Sequence, residues 1–135
     1  MSPLPPAGEG GSAGGTPLVK LMAELPRGPR RDGAFALWLT VRVAEDLLLV
    51  PPIPERAVRR RVAALEHRLS SLVLPAPLRR ALVAALTELG GGEAGRERAA
   101  LVLQQLIAPA REVLGADAGE ALVGAAKRAR IEHQR

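Results

Sequence analysis

Four serines, two histidines and no cysteine are the whole stock of serine and thiol nucleophiles and imidazole bases in this chain. Nucleophilic catalysis needs a nucleophile, a base within reach and a third group to orient the base. Ser2 and Ser12 fall in a Pro/Gly-rich stretch, whereas Ser70 and Ser71 follow His67 at i+3 and i+4 of a predicted helix. That spacing brings side chains together on any helix surface, and no glycine elbow accompanies it. Metal ligation fares no better. Each histidine follows a glutamate, in Glu66-His67 and Glu132-His133. Adjacent helical residues point about 100° apart, so neither pair can grip one ion. The run Gly90-Gly91-Gly92-Glu93-Ala94-Gly95 precedes a predicted helix. It lacks the Lys-Ser or Lys-Thr of a phosphate loop, no strand leads into it, and Glu93 would repel a phosphate. The carboxylate neighbours Glu45 with Asp46 and Glu93 with Glu97 have no aromatic pocket beside them to divide acid from base roles. From these residues we expect no enzyme, no metal and no cofactor.

Arginine is the residue type whose placement stands out. Nineteen basic residues include only Lys20 and Lys127 as lysines. Arg27, Arg30 and Arg31 fall in a predicted first loop, Arg56, Arg59, Arg60 and Arg61 open a third helix, and Arg79 and Arg80 open a fourth. Arg56 and Arg60 are i,i+4 with Arg59 beside them, so at least these three share a face. Cations at a helix start oppose the macrodipole, which points to use rather than to stability. The guanidinium fork matches carboxylates and phosphates alike. Sequence-specific nucleic-acid readout is disfavoured, because the chain has no asparagine for base edges and aromatics are 1% of it. The expectation is therefore a non-catalytic helical protein–protein interaction module, an adaptor, scaffold or assembly subunit. Its candidate interaction residues are Arg56, Arg59, Arg60, Arg79 and Arg80. Its partner is another protein or a second copy. The alternative is a nucleic-acid-associated regulator that holds phosphate backbone through the same clusters.

These side chains need elements to carry them. Hydrophobic residues are 47% of the 135, yet Phe35 and Trp38 are the only aromatics. The core must be Leu, Val and Ala, a mixture that favours close-packed helices over strands. The pattern predicts an all-α, compact bundle of about six helices in residues 16–135, behind a disordered N-terminal arm at residues 1–15. The arm, MSPLPPAGEGGSAGG, offers only Leu4 for burial. Thr16-Pro17 opens a short first helix with Leu18, Leu21, Met22 and Leu25 inward, ended by Pro26, Gly28 and Pro29. Asp32 caps a second, nearly all-round apolar helix to Val50, with Arg42, Glu45, Asp46 and Thr40 as its polar stripe and Arg42 paired to Asp46. Trp38 should be largely buried there, with Phe35 close by.

The third helix runs from Pro54 to about Leu74. Val58, Val62, Leu65, Leu69 and Leu72 form one seam at gaps of four and three. The fourth, Pro77 to Leu89, turns Leu78, Leu82, Val83, Leu86 and Leu89 inward and stops at a left-handed Gly90-Gly91-Gly92. The fifth, from about Glu93 to Leu114, is kinked or split near Ile107 by Pro109. Asp117 with Glu120 makes a capping box for the sixth, which ends near Ile131. The pI near 11.2 and net charge of +5 allow contact with anionic surfaces without demanding it. The most apolar stretch, Ala34 to Val50, is broken by Arg42, Glu45 and Asp46, so we expect no membrane span and a cytoplasmic location.

Deleting residues 1–15 should leave the melting temperature within about 2 °C, because their composition buries too little apolar area to stabilise a domain. Calorimetry of the truncated chain checks this, and a loss of about 10 °C would place the arm on the domain.

Overall fold

A computed structural model describes residues 15–49, 54–90 and 95–134, with seven α-helical elements and no strand among them. They are α1 (Gly15–Glu24), α2 (Pro29–Leu49), α3 (Glu55–Leu69), α4 (Ala76–Leu89), α5 (Gly95–Gln105), α6 (Ile107–Leu114) and α7 (Ala116–Gln134). Apart from Gly15, which starts α1, the arm expected at residues 1–15 lies outside the described residues.

Alanine sets how these helices pack. Along α7, Ala118, Ala121, Ala125, Ala126 and Ala129 are buried together with Leu122. A helix face of methyl groups lets neighbouring backbones come close, and α7 accordingly touches α1, α2, α5 and α6. The second central element is α2, where Ala34, Ala36, Leu37, Val41 and Ala44 are fully buried and contacts run to α1, α3, α5, α6 and α7. Gly33, also on α2, is in the core for a local reason. A Cβ there would sit 2.8 Å from Leu78 Cδ2, and Leu78 is wholly buried. The missing side chain leaves room for the Leu78 side chain of α4 against α2.

The long fifth segment is split, as Pro109 predicts. Pro109 has no N–H to give to Gln105, and α5 ends at that residue. Leu106 bridges the break, its N–H shared between the carbonyls of Val102 and Leu103 at 3.2 Å each. The chain then resumes as α6 and closes at Gly115, whose φ of +98° is one that residues with a Cβ rarely adopt.

Several boundaries and faces differ from the expected ones. Pro29 does not end α1; it opens α2, so Asp32 lies inside the first turn and is no cap. Its carboxylate is used at longer range, accepting the Val73 N–H at 2.9 Å and tying the α3–α4 link to α2. That link begins early, with α3 ending at Leu69 rather than near Leu74. Ser70 and Ser71 donate their hydroxyls to the His67 and Arg68 carbonyls, satisfying the helix end locally. Gly90 closes α4 at φ −88°, not in the left-handed region. Asp117 is one residue inside α7, because the Gly119 N–H is already satisfied by the Gly115 carbonyl. Thr40 leaves the polar stripe of α2: it is fully buried and donates to the Ala36 carbonyl at 2.8 Å. Arg42 passes over Trp38, 5.1 Å from the ring centroid, instead of pairing with Asp46. Trp38 itself is half-buried and stacks on Phe35 with centroids 6.0 Å apart.

The seam of α3 is as the spacing predicts: Val58, Val62, Leu65 and Leu69 are buried, with Leu72 half-buried in the link. On α4 the inward set is Leu78, Leu82, Ala85, Leu86 and Leu89. Val83, expected among them, is 60% exposed. The stripe is completed by Ala85, which a reading weighted toward large side chains passes over.

Leu82 and Val83 should therefore answer oppositely to truncation. Leu82→Ala removes a buried side chain and should cost ~2–5 kcal/mol, while Val83→Ala should stay within about 0.5 kcal/mol. Chemical denaturation followed by circular dichroism gives both values, and equal losses would mean that the register of α4 is wrong.

Candidate interaction site

Helix α3 is peripheral. One side packs on α2 and α4; the other is polar. Arginine recurs on it because only one row in four is needed for the seam, which leaves long side chains free to lie in solvent. Arg56, Arg59 and Arg60 are all exposed, as are Arg79 and Arg80 in the first turns of α4. All five expected site residues are thus on the surface, on two helices in direct contact.

The two helices run antiparallel. Gly90, at the end of α4, lies against Val62 in the middle of α3, and the short link at residues 70–75 joins the other ends. This geometry puts Arg79 and Arg80 beside the C-terminal end of α3 and separates them from Arg56, Arg59 and Arg60 by most of its length. The five therefore form two clusters, one toward each end of the α3–α4 pair, not one patch. Arg59 reaches Glu55 at 3.4 Å, an exposed i,i+4 pair that contributes well under about 1 kcal/mol. Arg56, Arg60, Arg79 and Arg80 make no ion pair among the described residues.

Other arginines make contacts within the molecule. Arg61, grouped with these by sequence, turns back to Asp46 on α2 at 3.7 Å. Arg68 stands over the Phe35 ring, 5.7 Å from its centroid. Arg98 bonds to Glu88 at 2.9 Å and joins α5 to α4, while Arg128 bonds to Glu45 at 2.5 Å and joins α7 to α2. Arg30 and Arg31 are exposed in the first turn of α2, not in a loop.

Between the two arginine clusters lies a feature that the sequence reading missed. An open groove of ≈ 330 Å³ runs between α3 and α4. Leu69, Leu72, Leu74, Leu82 and Leu86 form its floor, Val83 its wall, and Glu66, Ser70 and Arg79 its polar rim. Val73, at the link end, is 60% exposed, as Val83 is. Of the two, Val83 lines the groove and Val73 does not. The only sequence signal was the mismatch of Val83 with the spacing of its own helix: Leu78, Leu82, Ala85, Leu86 and Leu89 already complete the inward stripe.

The Ser70 hydroxyl is engaged by the His67 carbonyl, not by the imidazole. No group of three His, Cys, Asp or Glu among the described residues is placed to hold a metal ion, and no described helix is long and apolar enough to cross a membrane. His133 lies outside the described side chains, and Gly91 to Ala94 outside the described residues. Comparison with family models, with curated proteins and with solved structures gives no match for this chain.

Arg59→Ala and Arg60→Ala should each change unfolding free energy by no more than about 0.5 kcal/mol, since neither side chain is buried. Leu65→Ala, one turn along and 4% exposed, should cost ~2–5 kcal/mol. Denaturant midpoints of the three variants test the division of faces, and unfolding by either arginine change would make that side chain a buried partner.

Proposed function

We propose that this chain is a non-catalytic interaction module, an adaptor, scaffold or assembly subunit, that binds protein through the arginine-bearing surface of α3 and α4. One observation carries the reading. Arg56, Arg60, Arg79 and Arg80 are exposed without an ion pair among the described residues, on the same two helices that line the leucine-rich groove and expose Val83. Arginine loses little on partial desolvation and is favoured at interfaces, and apolar contact between charged clusters is the usual anatomy of a binding patch. The partner is a different protein or a second copy of this chain. The alternative, phosphate backbone held by the two clusters, draws on the charge alone and leaves the leucine-floored groove without a role.

A photo-crosslinking side chain introduced at Ala63 of α3 or Ala84 of α4, both exposed, tests this in the native host. Protein adducts should form from both positions and not from the exposed Ala23 on α1. Reversing Arg56, Arg60, Arg79 and Arg80 to Glu should abolish the adducts while the circular dichroism spectrum stays helical. Adducts that survive the reversal, or that form equally from Ala23, would refute the reading. Adducts to nucleic acid whose formation high salt prevents would favour the alternative.

A further inference from the structure

We infer that the occupant of the α3–α4 groove is an amphipathic helix of a partner protein, apolar in its middle and acidic toward both ends. This rests on the reading above and specifies the partner. The groove supplies the first half of the argument. Its lining is mostly leucine with one exposed valine, and it opens to the surface. Such a trough accepts a row of side chains at i, i+3, i+4 and i+7 of a helix laid into it. A rigid strand of backbone with no apolar knob would leave it unfilled.

Charge supplies the second half. On α3 the residues Arg56, Arg59, Ala63, Glu66 and Ser70 follow one another at gaps of three and four, so they form a row along one side of the helix. Glu66 and Ser70 line the groove, and the row carries Arg59 and Arg56 beyond it. At the opposite end Arg79 lines the groove and Arg80 follows it in sequence. The trough is thus apolar in the middle and flanked by guanidinium groups at both ends. Within it Glu66 is the single acidic residue, which selects against a carboxylate at the centre of the occupant.

The same features disfavour the other occupants. A symmetric dimer through this face would set each patch against its own copy, bringing Arg79 and Arg80 toward arginine rather than carboxylate. Four acids of this chain, Glu45, Asp46, Glu55 and Glu88, are already paired with its own arginines. Single-stranded nucleic acid is held by stacking on aromatic rings. The two rings present are stacked on each other, each with an arginine over it, on α2.

The test uses a fluorescent model peptide of about five helical turns, with leucine at i, i+3, i+4 and i+7 in its centre and glutamate toward its ends. A control peptide carries lysine for every glutamate. Fluorescence anisotropy with the full chain should show saturable binding of the acidic peptide and at least about tenfold weaker binding of the basic one. Val83→Glu blocks the trough at an exposed position, and Arg79→Glu with Arg80→Glu reverses one end. Each should weaken the acidic peptide by at least about tenfold, and the arginine reversal should gain affinity for the lysine peptide. Circular dichroism verifies that the variants fold. If Val83→Glu binds as well as the native chain while the arginine reversal does not, the groove is not the site, and the arginine surface stands without it. If neither change matters, or the acidic peptide does not bind, the inference is overturned. Light scattering that finds a dimer dispersed by Val83→Glu would make the occupant a second copy and overturn it as well.

Discussion

The fold depends on the close approach that alanine permits. With only two aromatic residues in 135, no large ring is available to fill space between widely separated helices. The core therefore holds together only if helices come near one another, and the positions that allow this are the smallest ones. Ala118, Ala121, Ala125 and Ala129 on α7, Ala34, Ala36 and Ala44 on α2, and Gly33 beneath Leu78 serve in that way. Leucines such as Leu37, Leu103, Leu106 and Leu122, all fully buried, then contribute roughly 1.5–3 kcal/mol each from burial. They do so only because the alanine faces bring them together.

This arrangement divides the molecule into a close-packed centre and a looser margin. Helices α2 and α7 occupy the centre, and α3 lies at the margin against α2 and α4. The margin is fastened by the buried seam Val58, Val62, Leu65 and Leu69, with polar contacts added at the surface. Arg61 with Asp46 and Arg68 over Phe35 hold α3 to α2, and the Asp32 carboxylate holds the link that follows. Arg61 and Arg68 are engaged in such contacts. Arg56, Arg60, Arg79 and Arg80 make no ion pair among the described residues, and between α3 and α4 a leucine-lined groove opens at the surface.

Much of the framework was legible in the chain. The seam Val58, Val62, Leu65, Leu69 could only belong to a helix with one buried side, and it is one. Pro109 lacks the N–H that an unbroken helix would need, and the break falls between Gln105 and Ile107. The five arginines were exposed because nothing in their surroundings could offset burial of a charge. The failures share a cause. Asp32 looked like a cap because Asp before an apolar run often is one; its true partner, the Val73 N–H, lies 41 residues away. Val83 looked inward because it is large and apolar, while Ala85 looked neutral because it is small. Local rules weigh side-chain size and near neighbours, and neither fact was local.

By itself the sequence determined that this chain is helical, where most helices fall and which arginines meet water. Those are consequences of backbone propensity, proline chemistry and the cost of burying charge, and each acts within a few residues. Tertiary structure alone decided that α3 and α4 run antiparallel, that the arginines divide between the two ends of the pair, and that an apolar trough lies open between them. The reason is that a groove is a property of the space between helices. It depends on how near two helices come and at what register, which is set by contacts of α3 with α2 and of α4 with α5 and α6 that no spacing along either helix encodes.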